Sequence, residues 1–477
     1  MATVKTSVPG SGYGNFYIDT LVWGGTTWDV TNEPIKVWFG SSWDFDAALE
    51  VHGDSQSLPS GDAALDWTED EISVFAYAVN LYQSVCGLRF QLVDPEVESV
   101  RDADIVWWKT DLGEDLAGRH EVPNGDQIWG YFNPNSVSWQ NLAFGGDGLH
   151  TVLHELGHGM GLAHPHDGGG EEDATTFPGV EPDDSSSLGT HGLNQGVWTV
   201  ISYNTGWSGA QHDITYGAQG GLGAFDIAAL QVLYGKNMAT ATGKNTYVLP
   251  TFSEFVGEEG WSCIWDAGGV DTLSAARAKA AVTLDLRAAT LKDGDPNAGG
   301  FISREAGVAG GFTIANGVII ENASGGAFYD RLYGNSAGNA LKGNGGNDKL
   351  YGYAGNDLLY GGSGSDTLSG STGKDAFIFE KRPSKTSNMD RIADFDGRYD
   401  TIHLDNAVFK KLGRAGKLKS SYLEVGSKAD DRNDYLVYNK SKGVLYYDAD
   451  GSGRDKAVEI AVLSNKAKLN AGDFLVI

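Results

Sequence analysis

Helical spacing of apolar residues is concentrated in the first half of the chain. Thr68 and Glu71 match a capping box, and apolar residues then recur at helical spacing as far as Cys86. We expect a second helix to begin near Asp147. A third covers Phe225–Gly235, where the apolar spacing ends in a glycine. The first of these helices has the pattern of a scaffold element, with one buried face and no chemical group on it.

Strand patterns occur on both sides of a short polar connection. Ala103–Trp108 and Gln127–Phe132 alternate partly between apolar and polar residues and are predicted strands. With the helices they indicate an α+β domain over residues 1–245. Lys236–Thr246 is polar, and the sequence beyond it has strand and glycine-turn patterns with almost no helical spacing. Residues 246–477 are therefore predicted to form a second, all-β domain.

Nine-residue repeats run without interruption from Gly325 to Ile378. The units are GGAFYDRLY, GNSAGNALK, GNGGNDKLY, GYAGNDLLY, GGSGSDTLS and GSTGKDAFI. They approximate the pattern GGxGxDxUx, in which glycines turn the chain, aspartate binds calcium and the large apolar residue fills the core of a parallel β-roll. The predicted calcium ligands are Asp330, Asp348, Asp357, Asp366 and Asp375.

The repeats differ in quality. Asn339 replaces aspartate in the second unit and Phe328 interrupts the first, so we expect these outer turns to bind calcium poorly. A disordered glycine-rich linker is excluded because the apolar residues keep a fixed phase. An uncompensated row of carboxylates would repel itself, so we expect the roll to fold only with calcium.

Composition narrows the choice of partners. The chain has 477 residues, enough for two domains, and its net charge of −28 argues against nucleic acid and favours cations. Its cysteines, Cys86 and Cys263, lack the spacing of a metal or redox pair. Two buried free thiols are the favoured interpretation, with a disulfide left open.

A histidine pattern lies in the second predicted helix. His154 and His158 are four residues apart, so both imidazoles project from one helix face and can reach one zinc ion. Glu155 is turned away from that ion and can take a proton from water, the general-base role of this pattern in metalloproteases. Gly161 permits the sharp turn that brings His164 to the same ion.

The remaining histidines are weaker candidates. His150 shares the helix face of His154, but choosing it would leave Gly161 and His164 unexplained. His166 and His191 are assigned to loops that could touch the site. His120, His212 and His403 have no pattern around them.

The chain resembles the serralysins, a branch of the metzincin zinc proteases. The resemblance rests on HELGHGMGLAHP at His154–Pro165, on Asp167, on Asp226–Gly235 and on the repeat domain. It implies a metzincin-like α+β protease domain followed by a calcium-binding β-roll. It also implies that the general base Glu155 takes a proton from a zinc-activated water, which then attacks the peptide carbonyl.

The resemblance assigns further residues. Thr199–Asn204 corresponds to the Met-turn beneath the zinc, with Ile201 where the family has methionine. Ile201 should keep an apolar floor without the thioether. Tyr203 matches a tyrosine that is an additional zinc ligand and stabilises the oxyanion. Gln127–Phe132 resembles the edge strand along which an extended substrate lies, and a core strand is the competing interpretation.

Two acidic segments outside the repeats resemble calcium-linked motifs of the family. In Trp265–Leu273 the predicted ligands are Asp266 and Asp271. In Tyr447–Gly453 the acidic residues Asp448 and Asp450 are either ligands or parts of a plain acidic turn.

The two ends of the chain bear on localisation. Residues 1–14 lack a secretory signal pattern, and no apolar run is long enough for a membrane span. Asp473–Ile477 looks like the C-terminal export signal of type I secreted proteins, although an edge strand would share this pattern. The resemblance suggests a short propeptide within about residues 1–12.

Together these features predict a secreted, monomeric zinc endopeptidase that acts on extracellular proteins and is exported by type I secretion machinery. One alternative is a calcium-dependent surface or adhesion protein with a degenerate protease domain, suggested by Ile201. A carbohydrate-modifying enzyme with the same repeats would need a paired-carboxylate site in residues 1–240, and no compelling one is present.

Overall fold

The computed structural model describes residues 2–31, 33–52, 64–169, 175–251, 259–384 and 386–477. Its α-helices all lie before residue 235. They are α1 (Phe16–Leu21), α2 (Phe45–His52), α3 (Glu69–Val85), α4 (Asp147–Gly159) and α5 (Ala224–Tyr234). None of the helices in these ranges combines the length and apolar character that crossing a bilayer requires.

The three helices expected from the sequence are confirmed. Thr68 caps α3 through its hydroxyl, and the Glu71 side chain accepts the Thr68 N–H at 2.8 Å, completing the capping box. The predicted second and third helices are α4 and α5, and Gly235 ends α5 with a positive φ of 76°.

Seven strands accompany these helices. They are β1 (Val4–Val8), β2 (Gly25–Trp28), β3 (Ile35–Gly40), β4 (Phe90–Leu92), β5 (Ile105–Lys109), β6 (Gly118–His120) and β7 (Ile128–Phe132). β1 pairs antiparallel with β2. β1 lies inside the segment that the sequence analysis considers as a propeptide.

The other five strands form a sheet in the order β4-β3-β5-β7-β6. β4, β3, β5 and β7 are parallel, and β6 joins β7 antiparallel at one edge. Every residue of β7 is buried, and β7 pairs on both sides. The expectation that Gln127–Phe132 forms an edge strand is therefore wrong. Its aromatic side chains fill the core, and the edge is Gly118–His120.

The chain beyond residue 245 is built from short strands. They are β8 (Thr246–Val248), β9 (Trp261–Ile264), β10 (Thr272–Ser274), β11 (Val282–Asp285), β12 (Arg304–Glu305), β13 (Gly311–Ile314), β14 (Asn322–Ser324), β15 (Arg331–Tyr333), β16 (Ala340–Gly345), β17 (Lys349–Tyr351), β18 (Leu358–Ser363), β19 (Thr367–Ser369), β20 (Ala376–Phe379), β21 (Asp390–Ile392), β22 (Thr401–Leu404), β23 (Gly416–Lys417), β24 (Leu423–Glu424), β25 (Leu436–Asn439), β26 (Val444–Tyr447), β27 (Val458–Leu463) and β28 (Phe474–Val476).

Successive strands from β14 to β22 alternate between two sheets, and neighbours within each sheet are parallel. This is the winding that the nine-residue period predicts, one strand per repeat. The large apolar residue of each repeat is fully buried between the sheets. These residues are Leu332, Leu341, Leu350, Leu359, Leu368 and Phe377.

The C-terminal segment is part of the larger fold. β28 lies between β22 and β23 in its sheet, so Phe474–Val476 is paired on both sides. Asp473 is buried and accepts the Asn470 N–H at 2.7 Å. One continuous hydrophobic cluster links the helical part to the roll. Cys86 and Cys263 are both free and buried, as favoured from the sequence.

Candidate metal sites

Helix α4 and the turn after it carry the histidine pattern. All of its residues from Val152 to Gly159 are buried. The helix ends in a Schellman motif: the Gly161 N–H donates to the His158 carbonyl at 2.8 Å, and the Leu162 N–H donates to the Gly157 carbonyl at 2.9 Å. Gly161 has a φ of +83°, which a residue with a side chain rarely adopts. The turn therefore reverses the chain as the sequence predicts.

The turn brings the three predicted histidines together. The Nε2 atoms of His154 and His158 are 3.2 Å apart, and each lies 3.1 Å from Nε2 of His164. Within the described residues, these three histidines are the group whose ligand atoms lie close enough together to bind one metal ion. His150 is outside it, since its Nε2 donates to the Val200 carbonyl at 3.0 Å.

Hydrogen bonds at the other ring nitrogens determine the tautomers. Nδ1 of His154 donates to the Val200 carbonyl at 2.9 Å, and Nδ1 of His158 donates to the Leu162 carbonyl at 2.8 Å. Nδ1 of His164 contacts the Asp167 carboxylate at 2.5 Å. Each neutral ring then carries its hydrogen on Nδ1, so three Nε2 lone pairs face one another. Such lone pairs cannot satisfy each other, and a cation can satisfy all three.

The spacing fits zinc. Tetrahedral zinc with Zn–N bonds of about 2.0–2.1 Å has nitrogens about 3.3–3.4 Å apart, close to the separations seen here. The Nδ1 partners are the carbonyl and carboxylate acceptors that orient metal-bound histidines in proteins. Burial and, to a lesser extent, the neighbouring His164 lower the pKa of His158 to about 3, so its imidazole is neutral and free to bind.

Glu155 lies next to this group. Its side chain is buried, Oε2 has no hydrogen-bond partner, and burial raises its pKa to about 8. A Cβ at Gly118, on the edge strand β6, would lie 2.8 Å from Cγ of Glu155. Glu155 therefore fills the space that the glycine leaves open, with one carboxylate oxygen unpaired.

Tyr203 stands over the histidines. Its ring is stacked on His154 at 5.4 Å between centroids and lies edge-on to His164 at 4.7 Å. The side chain is 56% exposed, in contrast to the buried side chains of His154 and His158. Burial of the phenol, followed by the charges of Glu155 and Asp167, raises its pKa.

The segment below the histidines is held by a buried carboxylate. Asp226 accepts hydrogen bonds from the Thr199 hydroxyl at 2.5 Å, the Val200 N–H at 2.8 Å and the Gly223 N–H at 2.7 Å. Ile201 is fully buried, and its Cδ1 would lie 2.4 Å from a Cβ at Gly157. It thus packs directly under α4, the apolar floor expected from the sequence.

Two residues near the site were missed. The sequence analysis used Asp226 only as the first residue of Asp226–Gly235. Its hydrogen bonds to Thr199 and Val200 are visible only in three dimensions. His120 is buried beside α4, where it would lie 2.7 Å from a Cβ at Gly159, and it accepts the Trp107 indole N–H at 3.2 Å. Burial lowers its pKa to about 4. No spacing signal links His120 to the pattern.

The repeat aspartates form two ladders, one along each sheet. In the first, the N–H groups of Asp330, Asp348 and Asp366 donate to Oδ1 of the next aspartate at 2.8, 2.8 and 3.0 Å, ending at Asp390. In the second, the N–H groups of Asn339, Asp357 and Asp375 donate in the same way at 2.8, 3.0 and 3.1 Å, ending at Asp400. Asp390 and Asp400 lie beyond the nine-residue period, so the sequence analysis missed them.

The inner ladder aspartates have a buried oxygen without a hydrogen-bond partner in the described part of the chain. It is Oδ2 of Asp348, Asp357, Asp366 and Asp375. Burial, together with the charges of neighbouring ladder aspartates, raises the pKa of Asp348 to about 8 and that of Asp357 to about 7. A row of unpaired carboxylate oxygens is the donor set that calcium prefers.

The first repeat differs from the inner ones. Asp330 accepts the Val282 N–H at 2.9 Å with Oδ1 and the Gly326 N–H at 2.6 Å with Oδ2. Both of its oxygens therefore have a protein partner, which agrees with the poor binding expected of this outer turn.

A further acidic pair precedes the roll. Oδ1 of Asp271 accepts the Asn245 N–H at 2.7 Å, while Oδ2 is buried without a partner. Asp266 accepts the Tyr247 hydroxyl at 2.6 Å, and Glu321, which the sequence analysis did not select, accepts the Asp271 N–H at 2.8 Å. This arrangement also offers an unpaired oxygen to a cation.

The second acidic segment is less clear-cut. Asp448 is buried and its Oδ1 accepts the Asp450 N–H at 3.4 Å, while Oδ1 of Asp450 is buried without a partner. Among the other histidines, His150 lies edge-on to His154 with ring centroids 6.0 Å apart, and His166 stacks on His164 at 5.0 Å.

Comparison with known proteins points to one family. The family model described as the peptidase M10 serralysin C-terminal domain matches residues 258–476. The serralysin of Proteus mirabilis is 37% identical over 319 residues, which cover 62% of this chain and 60% of that protein. Metallopeptidase AprA of Pseudomonas marginalis is 34% identical over 209 residues, covering 40% and 38%. Serralysin G of Dickeya chrysanthemi is 31% identical over 220 residues, covering 44% and 41%.

These matches span less than two thirds of the length of each relative. They agree with one another in family, and the domain match covers almost the whole chain after residue 257. The chain is similar to the serralysins, and its residues 258–476 match the C-terminal domain of that family.

Proposed function

We propose that this protein is a secreted zinc endopeptidase. The observation that carries the proposal is the convergence of three Nε2 lone pairs on one point, next to a buried glutamate with an unpaired oxygen. The names of its relatives, serralysin and metallopeptidase, support the same activity. His154, His158 and His164 would hold the zinc, and Tyr203 would be an additional ligand.

Zinc, when bound, supplies Lewis acidity that polarises a peptide carbonyl and makes water easier to deprotonate. Glu155 accepts the proton of the attacking water at its unpaired Oε2. The same carboxyl group can then return this proton to the leaving amine. The Tyr203 hydroxyl, on an exposed side chain, donates a hydrogen bond to the oxyanion.

Substrate binding would use the edge of the sheet. β6 is the edge strand, and Gly118 within it lies against Glu155. An extended peptide that pairs with β6 would bring its backbone to the base. We therefore move the substrate-binding role from Gln127–Phe132 to Gly118–His120.

Calcium would hold the second domain together. We assign residues 1–245 to a metzincin-like protease domain and residues 246–477 to the calcium-binding roll. The proposed ligands are Asp266, Asp271, Asp330, Asp348, Asp357, Asp366 and Asp375, with Asp390 and Asp400 added from the ladders. Export through type I secretion machinery would use Asp473–Ile477 while the roll is unfolded, since folding places β28 inside a sheet. The protein would act extracellularly as a monomer.

The proposal is tested with casein as substrate. We expect hydrolysis by the purified protein, its loss after treatment with a zinc chelator in the presence of calcium, and its return when zinc is added. The calcium present throughout keeps the roll folded, so that loss of activity reports on zinc. A protein that binds no zinc and leaves casein intact under these conditions would favour the adhesion alternative.

A further inference from the structure

The loop residue after Pro165 lies against the proposed zinc ligands. His166 is only 8% exposed, and its ring is nearly parallel to that of His164, with centroids 5.0 Å apart and an angle of 24°. It also contacts the ring of Tyr203, with centroids 5.1 Å apart at 53°. His166 therefore stacks on one proposed zinc ligand and has a tilted ring contact with another.

Tyr203 has few constraints of its own. Its side chain is 56% exposed, and in the described part of the chain its ring contacts are with His154, His164 and His166. The first two are committed to the candidate zinc site through Nε2. His166 is the neighbour that is free of this task, so it can restrict the tyrosine without competing for the ion.

The position of His166 is fixed by its backbone rather than by its imidazole. The His166 carbonyl accepts the Asp183 N–H at 3.0 Å. The residue before it, Pro165, has its φ fixed by the pyrrolidine ring. In contrast, Nδ1 is buried and has no hydrogen-bond partner among the residues that the structure describes. The imidazole therefore acts on its neighbours through ring contacts rather than through a hydrogen bond from this nitrogen. The contact with Tyr203 offers a functional reason for a ring at this position.

We infer that His166 is a positioning residue that holds the Tyr203 ring beside His154 and His164. The inference rests on the proposed function of this site. Without the His166 ring, Tyr203 gains alternative orientations in solvent and must lose them to reach the zinc or the oxyanion. We expect removal of the ring to lower zinc affinity and kcat by roughly three- to tenfold, the range that a single aromatic contact supports.

A double-mutant cycle tests this inference. The proteins are wild type, His166→Ala, Tyr203→Phe, the double variant and His166→Phe, all full-length and with calcium present. The zinc dissociation constant is measured by competition with a chelating indicator, and kcat and KM with a peptide substrate. We expect His166→Ala to weaken zinc binding and lower kcat by roughly three- to tenfold, with KM little changed. His166→Phe should restore most of the loss, because it keeps a ring in place.

The Tyr203→Phe background shows whether His166 acts through the Tyr203 hydroxyl. If His166 acts through the Tyr203 hydroxyl, His166→Ala has no further effect on zinc affinity in the Tyr203→Phe protein. Equal losses in both backgrounds, or failure of His166→Phe to restore affinity, would overturn the inference. Zinc affinity is measured without substrate. A coupled cycle in proteins that cleave no peptide would therefore refute the proposed peptidase and leave the positioning role standing.

Discussion

Replacing one ladder aspartate with asparagine should have opposite effects with and without calcium. Asp357 accepts the Asn339 N–H with Oδ1 at 2.8 Å, and its Oδ2 is buried and unpaired. Asparagine keeps an acceptor oxygen for that hydrogen bond and removes the charge. The native Asn339 occupies the equivalent position one rung earlier, where its Oδ1 accepts the Asn335 N–H at 2.8 Å. The ladder therefore accommodates the amide.

The size of the effect follows from the pKa of Asp357. Burial, opposed by one hydrogen bond and reinforced by Asp375, raises this pKa from 3.8 to about 7 in the fold. A carboxylic acid whose folded pKa is raised stabilises the fold at low pH, and that stability is lost as pH rises from about 4 to about 7. At 1.36 kcal/mol per pKa unit, the calcium-free fold loses at most about 4 kcal/mol at pH 7.5 and about 2 kcal/mol at pH 5, and solvent screening reduces both values.

Asp357→Asn should therefore stabilise the roll in a calcium chelator. The assay is a urea titration read by hydrogen exchange and mass spectrometry on peptides from β16 to β20, which reports on the roll alone. We expect the variant to have the higher urea midpoint at pH 7.5 and a smaller advantage at pH 5. With millimolar calcium the order should reverse, because the amide removes a charged ligand. A wild type that is the more stable protein in chelator at pH 7.5 would refute this reasoning.

Two further substitutions and one labelling experiment test individual contacts. Gly118→Ala would place a Cβ 2.8 Å from Cγ of Glu155, and the displaced base should lower kcat on a peptide about a hundredfold; Gly243→Ala, in open space, is the matched control. Ile201→Met should cost under about 1.5 kcal/mol in a urea titration and leave zinc affinity within about threefold, since both side chains fill the floor. A large gain in affinity would show that the thioether matters. Both cysteine thiols, whose pKa burial raises to about 12, should react with a thiol reagent only after unfolding.

The sequence predicted features that depend on local spacing. The HExxH segment and the Gly161 turn define the histidine cluster because a helix and a Schellman motif are both short-range structures. The nine-residue period likewise predicted the alternation of strands between two sheets and the burial of one apolar residue per repeat. In each case a short stretch of sequence contains the residues that determine its local structure.

Features that depend on long-range pairing were missed or misjudged. Gln127–Phe132 has a strand pattern, but only its pairing with β5 and β6 shows that it is interior. Asp390 and Asp400 join the ladders after longer connections, so the period does not reach them. Asp226 lies 27 residues from Thr199, and nothing in the spacing predicts their hydrogen bond.

The most direct test of the central claim compares the wild type with Glu155→Gln at equal zinc content. The zinc content of each protein is quantified by elemental mass spectrometry, and casein hydrolysis is measured on the same samples with calcium present. The account predicts equal zinc in both proteins and a loss of activity of about a hundredfold or more in the variant. Unchanged hydrolysis by zinc-loaded Glu155→Gln would contradict it.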